Sequence, residues 1–158
     1  MRTTFLAILF LTIGMLLVPE AAGLLQAQEY KAVFDCSSGD ARFILSRMNL
    51  IDITMMMIEK NGDKARFAIT LHGGCVPMVS KAYDEVVADE DLIYVKKAQE
   101  TLVRLSKKKN IEIVACAMSL ENNGLEREDI VPFVRISENS FIDTIGYQNR
   151  GYAIMTFK

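Results

Sequence analysis

Three cysteines and a single histidine are the residues of this chain best equipped for chemistry. Cys116 ends the apolar run Ile111-Glu112-Ile113-Val114-Ala115-Cys116, which reads as a buried strand. Ala117-Met118-Ser119-Leu120 and a turn at Asn122-Asn123-Gly124 follow it. In open α/β sheets, ligands gather at the carboxyl ends of strands. A thiol placed there is either packed as a small hydrophobe or presented as a nucleophile. The nucleophile is the thiolate, and N–H groups of the following turn or of the next helix start would stabilise it. Small Ala115 and Ala117 leave room for a second sulfur or a ligand. Cys36 ends an earlier strand-like run and Cys75 follows another, at spacings of 39 and 41 residues. Each spacing is about one strand–helix unit, so three thiols far apart in sequence can share one rim.

His72-Gly73-Gly74-Cys75 is the second cluster. Two glycines after a strand let backbone approach a ligand or take a left-handed conformation. Their N–H groups can line an anion-binding nest. His72 is a candidate ligand or catalytic residue, against the plainer reading of a hydrogen-bonded structural histidine. No G-x-G-x-x-G or Walker spacing supports a nucleotide site. No C-x-x-C or H-x-x-x-H marks a metal site. Cys36, His72, Cys75 and Cys116 leave open a converging Cys₃His set, and any two of the thiols a disulfide. We expect no metal and no cofactor. Cys116 is the candidate catalytic residue, with His72, Gly73, Gly74, Cys75 and Cys36 as candidate binding residues. No Ser/His/Asp triad can be assembled, and the Met55-Met56-Met57 run reads as core and helix surface.

The elements that must position these groups alternate between strand and helix. Residues 30–36 read as the first strand, and Ser37-Ser38-Gly39-Asp40 as a loop with capping residues. Ile44, Met48, Ile51, Met55 and Ile58 mark one face of a long helix closed by Asn61-Gly62. Residues 65–71 are the second strand. Residues 76–91 are mixed, with a short helix started by Pro77 and an acidic surface loop over 84–91. Tyr94, Ala98, Leu102 and Leu105 mark the next helix, with Lys107-Lys108-Lys109 in its last turn. Residues 111–116 are the third strand, 125–129 a helical turn, and 131–136 a fourth strand. Ser140-Phe141-Ile142-Asp143 is a capping-box variant opening a helix through Ile145. Residues 152–157 form the last strand. This alternation predicts a three-layer α/β/α fold with a parallel sheet of about five strands and right-handed crossovers.

The first 27 residues read as a signal peptide. Arg2 gives the positive start, residues 5–18 are almost wholly apolar, and Pro19 with small residues follows. Fourteen apolar residues are short for a membrane span of about 20, so membrane attachment is expected only through this segment if it stays uncleaved. Cleavage after Ala27 leaves residues 28–158, one domain large enough for a core, expected in the periplasm or secreted. Export permits disulfides, and three cysteines leave one over. The net charge of −2 excludes the basic footprint of a nucleic-acid binder.

The chain resembles the DsrE/DsrF-like family of TusD- and YchN-like proteins. The resemblance rests on residues 31–35 as opening strand, on His72-Gly73-Gly74, on the segment Asn110 through Leu120 around Cys116, and on Gly151-Tyr152-Ala153. It implies a sheet of five parallel strands in the order fourth, third, second, first, fifth. That order sets the His72/Cys75 rim between Cys36 and Cys116. It further implies a homo-oligomer or larger assembly, a persulfide carried on Cys116, and a sulfur donor or acceptor protein as partner. The alternatives that stay open are an oligomeric small-ligand-binding protein without catalysis and a thiol-based redox or metal site. The leader sets this chain apart from the cytoplasmic sulfur-relay members.

Overall fold

The structure is a computed structural model that describes residues 27–157. The signal-peptide reading over 1–27 therefore lies, Ala27 apart, outside the described residues. Five strands, β1 (Glu29–Cys36), β2 (Lys64–Leu71), β3 (Ile111–Cys116), β4 (Arg135–Ser137) and β5 (Ala153–Phe157), form one parallel sheet in the order β4-β3-β2-β1-β5. The helices are α1 (Ala41–Lys60), α2 (Tyr83–Val86), α3 (Leu92–Ser106), α4 (Ala117–Asn122) and α5 (Ser140–Asn149). Right-handed crossovers explain the layering. The chain steps from β1 to β2 to β3 in one direction and lays α1 and α3 on one face. It returns across the sheet from β4 to β5, so α5 falls on the other.

Alternation along the strands sorts the side chains between these faces. Phe34 and Cys36 of β1, Phe67, Ile69 and Leu71 of β2, and Ile113 and Ala115 of β3 join Ile44, Met48, Ile51, Met55, Ala98, Leu102 and Leu105 in the main core. Val33 and Ala68 face the other way and pack with Tyr147 of α5. The expected face of α1 is thus its core face, with Ile58 only partly buried at the end. Asp40 caps α1 by accepting the Phe43 N–H at 2.9 Å. Gly62, at φ 84°, supplies the left-handed residue that stops it.

Several boundaries differ from the sequence expectation. The segment after Cys116, given no element of its own in the sequence reading, is a helix, α4, that runs into the turn at Asn123-Gly124. β4 covers three residues, Arg135–Ser137, because residues 131–134 turn instead of pairing. The helical turn expected over 125–129 is a 3-10 turn at Arg127–Asp129. α5 is capped by Asn139, which accepts the Phe141 N–H at 2.9 Å, and it runs on to Asn149. Pro77 lies inside a 3-10 helix, Gly73–Val79, rather than starting one. The acidic stretch coils into α2 and a 3-10 turn at Asp89–Asp91. Lys107 caps the end of α3, and Lys108 beyond it reaches Asp52 at 3.4 Å and Glu59 at 3.9 Å. No helix among the described residues is long and apolar enough to cross a membrane.

Candidate functional site

The carboxyl rim of β1, β2 and β3 gathers the groups that could do chemistry, but the faces divide them. Register places Cys36, Leu71 and Ala115 in one row across the sheet, directed at the α1 side. One row on, His72 and Cys116 point to the α5 side. The three cysteines therefore share the rim and not the face. Cys36 and Cys75 are joined in a disulfide, both fully buried in the main core. Cys116 is the one free cysteine among the described residues. A cross-link spanning 39 residues is worth roughly 4 kcal/mol through the unfolded chain it constrains. With two of the four candidate donors bonded to each other, the Cys₃His set does not assemble. No group of three metal-ligating side chains occurs among the described residues.

The disulfide sits behind a tightly laced turn. His72 N–H donates to Cys36 O at 2.9 Å, Gly74 N–H to Ser37 O at 3.2 Å, and Cys75 N–H to His72 O at 3.0 Å. Gly73 takes φ 52°, a left-handed conformation that a side chain would strain. Its N–H thereby turns outward and donates to Ser119 Oγ at 3.0 Å. Asn123 clips the same pair from the other end: its Nδ2 donates to Gly73 O at 3.2 Å and to Ser119 O at 2.7 Å.

Cys116 is held at the start of α4 and beside the start of α5. Ser140 N–H donates to Cys116 Sγ at 3.4 Å. Burial of the thiol pushes its pKa up. The backbone N–H and hydroxyl groups of Ser140 and Ser119 outweigh that and bring it below the ordinary cysteine value. The anion is therefore easier to form here than on a free cysteine. The side chain is only 4% exposed, yet Met118, Phe141 and Ile142 nearby on α4 and α5 are each more than half exposed. On the neighbouring strand, Ser137 lies opposite Cys116 in register. With Arg135, Asn139, Ile142 and Asp143 it lines a depression of about 340 Å³.

His72 stands beside this thiol on the same face. Asp35 accepts from its Nε2 at 3.0 Å and from Thr70 Oγ1 at 2.9 Å. An ionised carboxylate only accepts, which assigns the shared hydrogen of this pair to Nε2. The Asp35 hydrogen bond raises the His72 pKa, burial opposes it, and the negative charges of Asp35 and Cys116 add to the rise. The His72 ring also stands edge-on to Phe141 at 6.4 Å. Chemically, the rim offers a thiol of lowered pKa, an imidazole held by a carboxylate, and an apolar mouth.

The structure brings Cys116, His72 and Gly73 together. Gly74 sits on the far side of the turn, against Gly39, and Cys36 and Cys75 lie on the opposite face. Sequence reading missed Asp35, Thr70, Ser119, Asn123 and Ser140. Asp35 was findable: it sits one residue from the end of a strand expected beside the one that leads to His72. A separate groove of about 470 Å³ holds none of these residues. It opens between α1, β1 and the edge strand β5, over Phe34, Phe43, Phe67 and Phe157.

Comparison with known proteins agrees with this architecture. The model of the DsrE/DsrF-like family matches residues 31–157. An Aquifex aeolicus protein described as uncharacterized is 31% identical over 131 residues. The match covers 83% of this chain and 57% of that protein, so the chain spans little more than half of the relative's length. The solved structure of a Methanobacterium thermoautotrophicum protein of unknown function superposes with a TM-score of 0.63 at 15% identity. That match covers 81% of this chain and 99% of the other, and it shows the fold alone.

Proposed function

Because this chain belongs to the DsrE/DsrF-like family, we propose that it carries sulfur as a persulfide on Cys116. The observation that carries this reading is the Ser140 N–H that donates to Cys116 Sγ at 3.4 Å at the start of α5, beside Ser119 in the first turn of α4, an environment that lowers the thiol pKa against the penalty of burial. In the transfer, the Cys116 thiolate attacks the terminal sulfur of a donor persulfide. The new S–S bond forms as the donor's S–S bond breaks, and the donor leaves as a thiolate that takes up a proton. No net oxidation occurs. His72, whose pKa the Asp35 hydrogen bond raises, lies on the same side of the rim and would favour the sulfur anion in its protonated form.

The donor and acceptor in this reading are thiol proteins that dock over the exposed Met118, Phe141, Ile142 and Ile145. Self-association is part of the proposal. Its support is the outer face of α1, where Leu50, Ile53, Met56 and Met57 are exposed, and the edge strand β5, with exposed Ile154 and Met155 and an outer side that meets no other strand among the described residues. So is export: the Cys36–Cys75 disulfide fits an oxidising compartment, and N-terminal sequencing should find a mature chain beginning near Gln28.

The low exposure of Cys116 favours a second reading, an oligomeric module that binds a small anion or thiol compound on the same rim without catalysis. Incubation with a persulfide donor, followed by intact mass with and without reductant, separates the two. The carrier gains one reducible sulfur that peptide mapping assigns to Cys116. A mass unchanged by the donor sinks the carrier and leaves the binding module.

A further inference from the structure

Cys116 reaches its donors through a chain of contacts that ends at the disulfide on the opposite face of the sheet. Ser119 Oγ accepts the Gly73 N–H at 3.0 Å. Ser119 sits in the first turn of α4, three residues past Cys116 at the helix N-cap, so with that lone pair engaged its hydroxyl proton is left to turn toward the thiol, in keeping with the lowered Cys116 pKa. Gly73 is one residue past His72, whose N–H is tied to Cys36 O, and two before Cys75, whose sulfur is bonded to Cys36. Asn123 holds the Gly73 and Ser119 carbonyls together. The 3-10 helix after β2 and the α4 segment after β3 thus meet at Gly73, through its N–H to Ser119 Oγ and through Asn123 Nδ2 to its carbonyl. The disulfide fixes the first of them to the end of β1.

We propose that Ser119 and Asn123 are positioning residues for Cys116, and that the Cys36–Cys75 disulfide holds the Gly73 turn against them, so that the thiol is poised only while that pair is oxidised. This rests on the reading of Cys116 as the working thiol and adds to it a condition on the site. Because the disulfide is fully buried, a reductant reaches it only when the rim opens. It acts as a strut rather than as an exchanging partner. Opening it takes two electrons and two protons and leaves Cys36 and Cys75 as thiols: a dithiol gives both and becomes a disulfide, whereas a phosphine gives the electrons and is oxidised to its oxide, with water supplying the protons and that oxygen.

The test is the rate of alkylation of Cys116 against pH, read peptide by peptide on the full chain. It compares the oxidised protein, the phosphine-reduced protein, Ser119→Ala, Ser119→Thr and Asn123→Ala. In the oxidised protein the midpoint is expected below that of a free thiol. Reduction and Ser119→Ala each move it upward and slow the reaction at neutral pH by about ten-fold, the worth of one hydrogen bond to a charged group. Ser119→Thr, which keeps the hydroxyl, restores most of the rate, and Asn123→Ala gives an intermediate loss. A low midpoint that is the same in all five samples overturns the positioning unit while leaving the carrier reading intact. A free-thiol midpoint in all five removes both. Loss of far-UV circular dichroism on reduction also overturns the proposal, since the disulfide would then hold the fold rather than the turn. The Cys36→Ala/Cys75→Ala double variant repeats that arm without a reductant.

Discussion

Gly74→Ala should damage this protein where Gly39→Ala does not, although the two glycines touch each other. A Cβ built on Gly74 would lie 2.7 Å from Gly39 Cα, 2.8 Å from Gly39 N and 3.2 Å from Ser38 C. All three are backbone atoms, so no side chain can swing aside. A Cβ on Gly39 would meet Gly74 Cα at 3.9 Å, an ordinary contact. Gly74→Ala must push the loop after β1 off the turn after β2, and the Gly74 N–H···Ser37 O bond at 3.2 Å goes with it. Overpacking of this kind costs about 1–3 kcal/mol. For a domain of this size each kcal/mol moves Tm by roughly 3–5 °C, so thermal unfolding should fall by about 3–15 °C. Gly39→Ala should leave Tm unchanged or slightly raised, because alanine has less freedom to lose on folding. The same displacement drags Gly73 N–H away from Ser119, so Cys116 alkylation at neutral pH should slow in Gly74→Ala and hold in Gly39→Ala. A Gly74→Ala protein melting within 1 °C of the parent, or a Gly39→Ala protein melting as low as Gly74→Ala, would refute the loop-on-loop contact and the coupling built on it.

Asp35→Asn removes the group that raises the His72 pKa. A raised histidine stabilises fully below about pH 6.5. That contribution is lost as pH rises through the folded value, so the variant should lose about 1–3 kcal/mol at pH 5.5 and less at pH 8. Denaturant melts at the two pH values check the sign, and an equal loss at both would contradict it. Tyr147→Phe deletes the hydroxyl that donates to Glu112 Oε2 at 2.6 Å from a ring 1% exposed. The expected cost is about 1 kcal/mol by chemical denaturation, and no measurable change would mean the bond is not formed in solution. Leu50→Glu puts a charge on the outer apolar face of α1. Sedimentation at micromolar concentration should show the parent associated and the variant shifted toward monomer, and a monomeric parent would end that proposal.

The long elements were legible because they have the periods of their structures. Ile44, Met48, Ile51 and Met55 specify the core face of α1 on their own, and the strands alternate, with Phe67, Ile69 and Leu71 of β2 on the core side and Lys64, Arg66 and Thr70 on the other. By that alternation Cys36 sides with Phe34. Cys75 lies beyond the end of β2, where the alternation stops, so the pairing of the thiols stayed open. Only the register, with Cys36 beside Leu71 in the main core, selects Cys75 as its partner. α4 escaped because six residues with only Ala117 and Leu120 buried carry too little period to stand out from a turn. β4 was overextended because Val131 and Val134 look like strand residues but close a loop, with Val131 N–H reaching back to Val79 O at 3.0 Å. The serines were invisible for another reason. Ser140 lies 24 residues from Cys116 and meets it only because α5 starts where it does, a placement set by tertiary packing.

The separation of faces also answers a difficulty that three thiols on one rim would otherwise raise. A disulfide within reach of a reactive thiolate is itself a substrate for it: attack on either sulfur gives a mixed disulfide and releases the other. A persulfide on Cys116 would be exposed to the same exchange from a free neighbour. Here Cys36 and Cys75 sit fully buried among Phe34, Leu71 and Val76 on the α1 side, while Cys116 meets Ser140 on the α5 side. The backbone of the sheet stands between them. Exchange needs three sulfurs nearly in line, which this arrangement denies, so the strut and the thiol can share a rim without reacting. Coupling between them passes instead through backbone, from Cys75 through Gly73 to Ser119. A route of that kind transmits position and cannot transmit electrons.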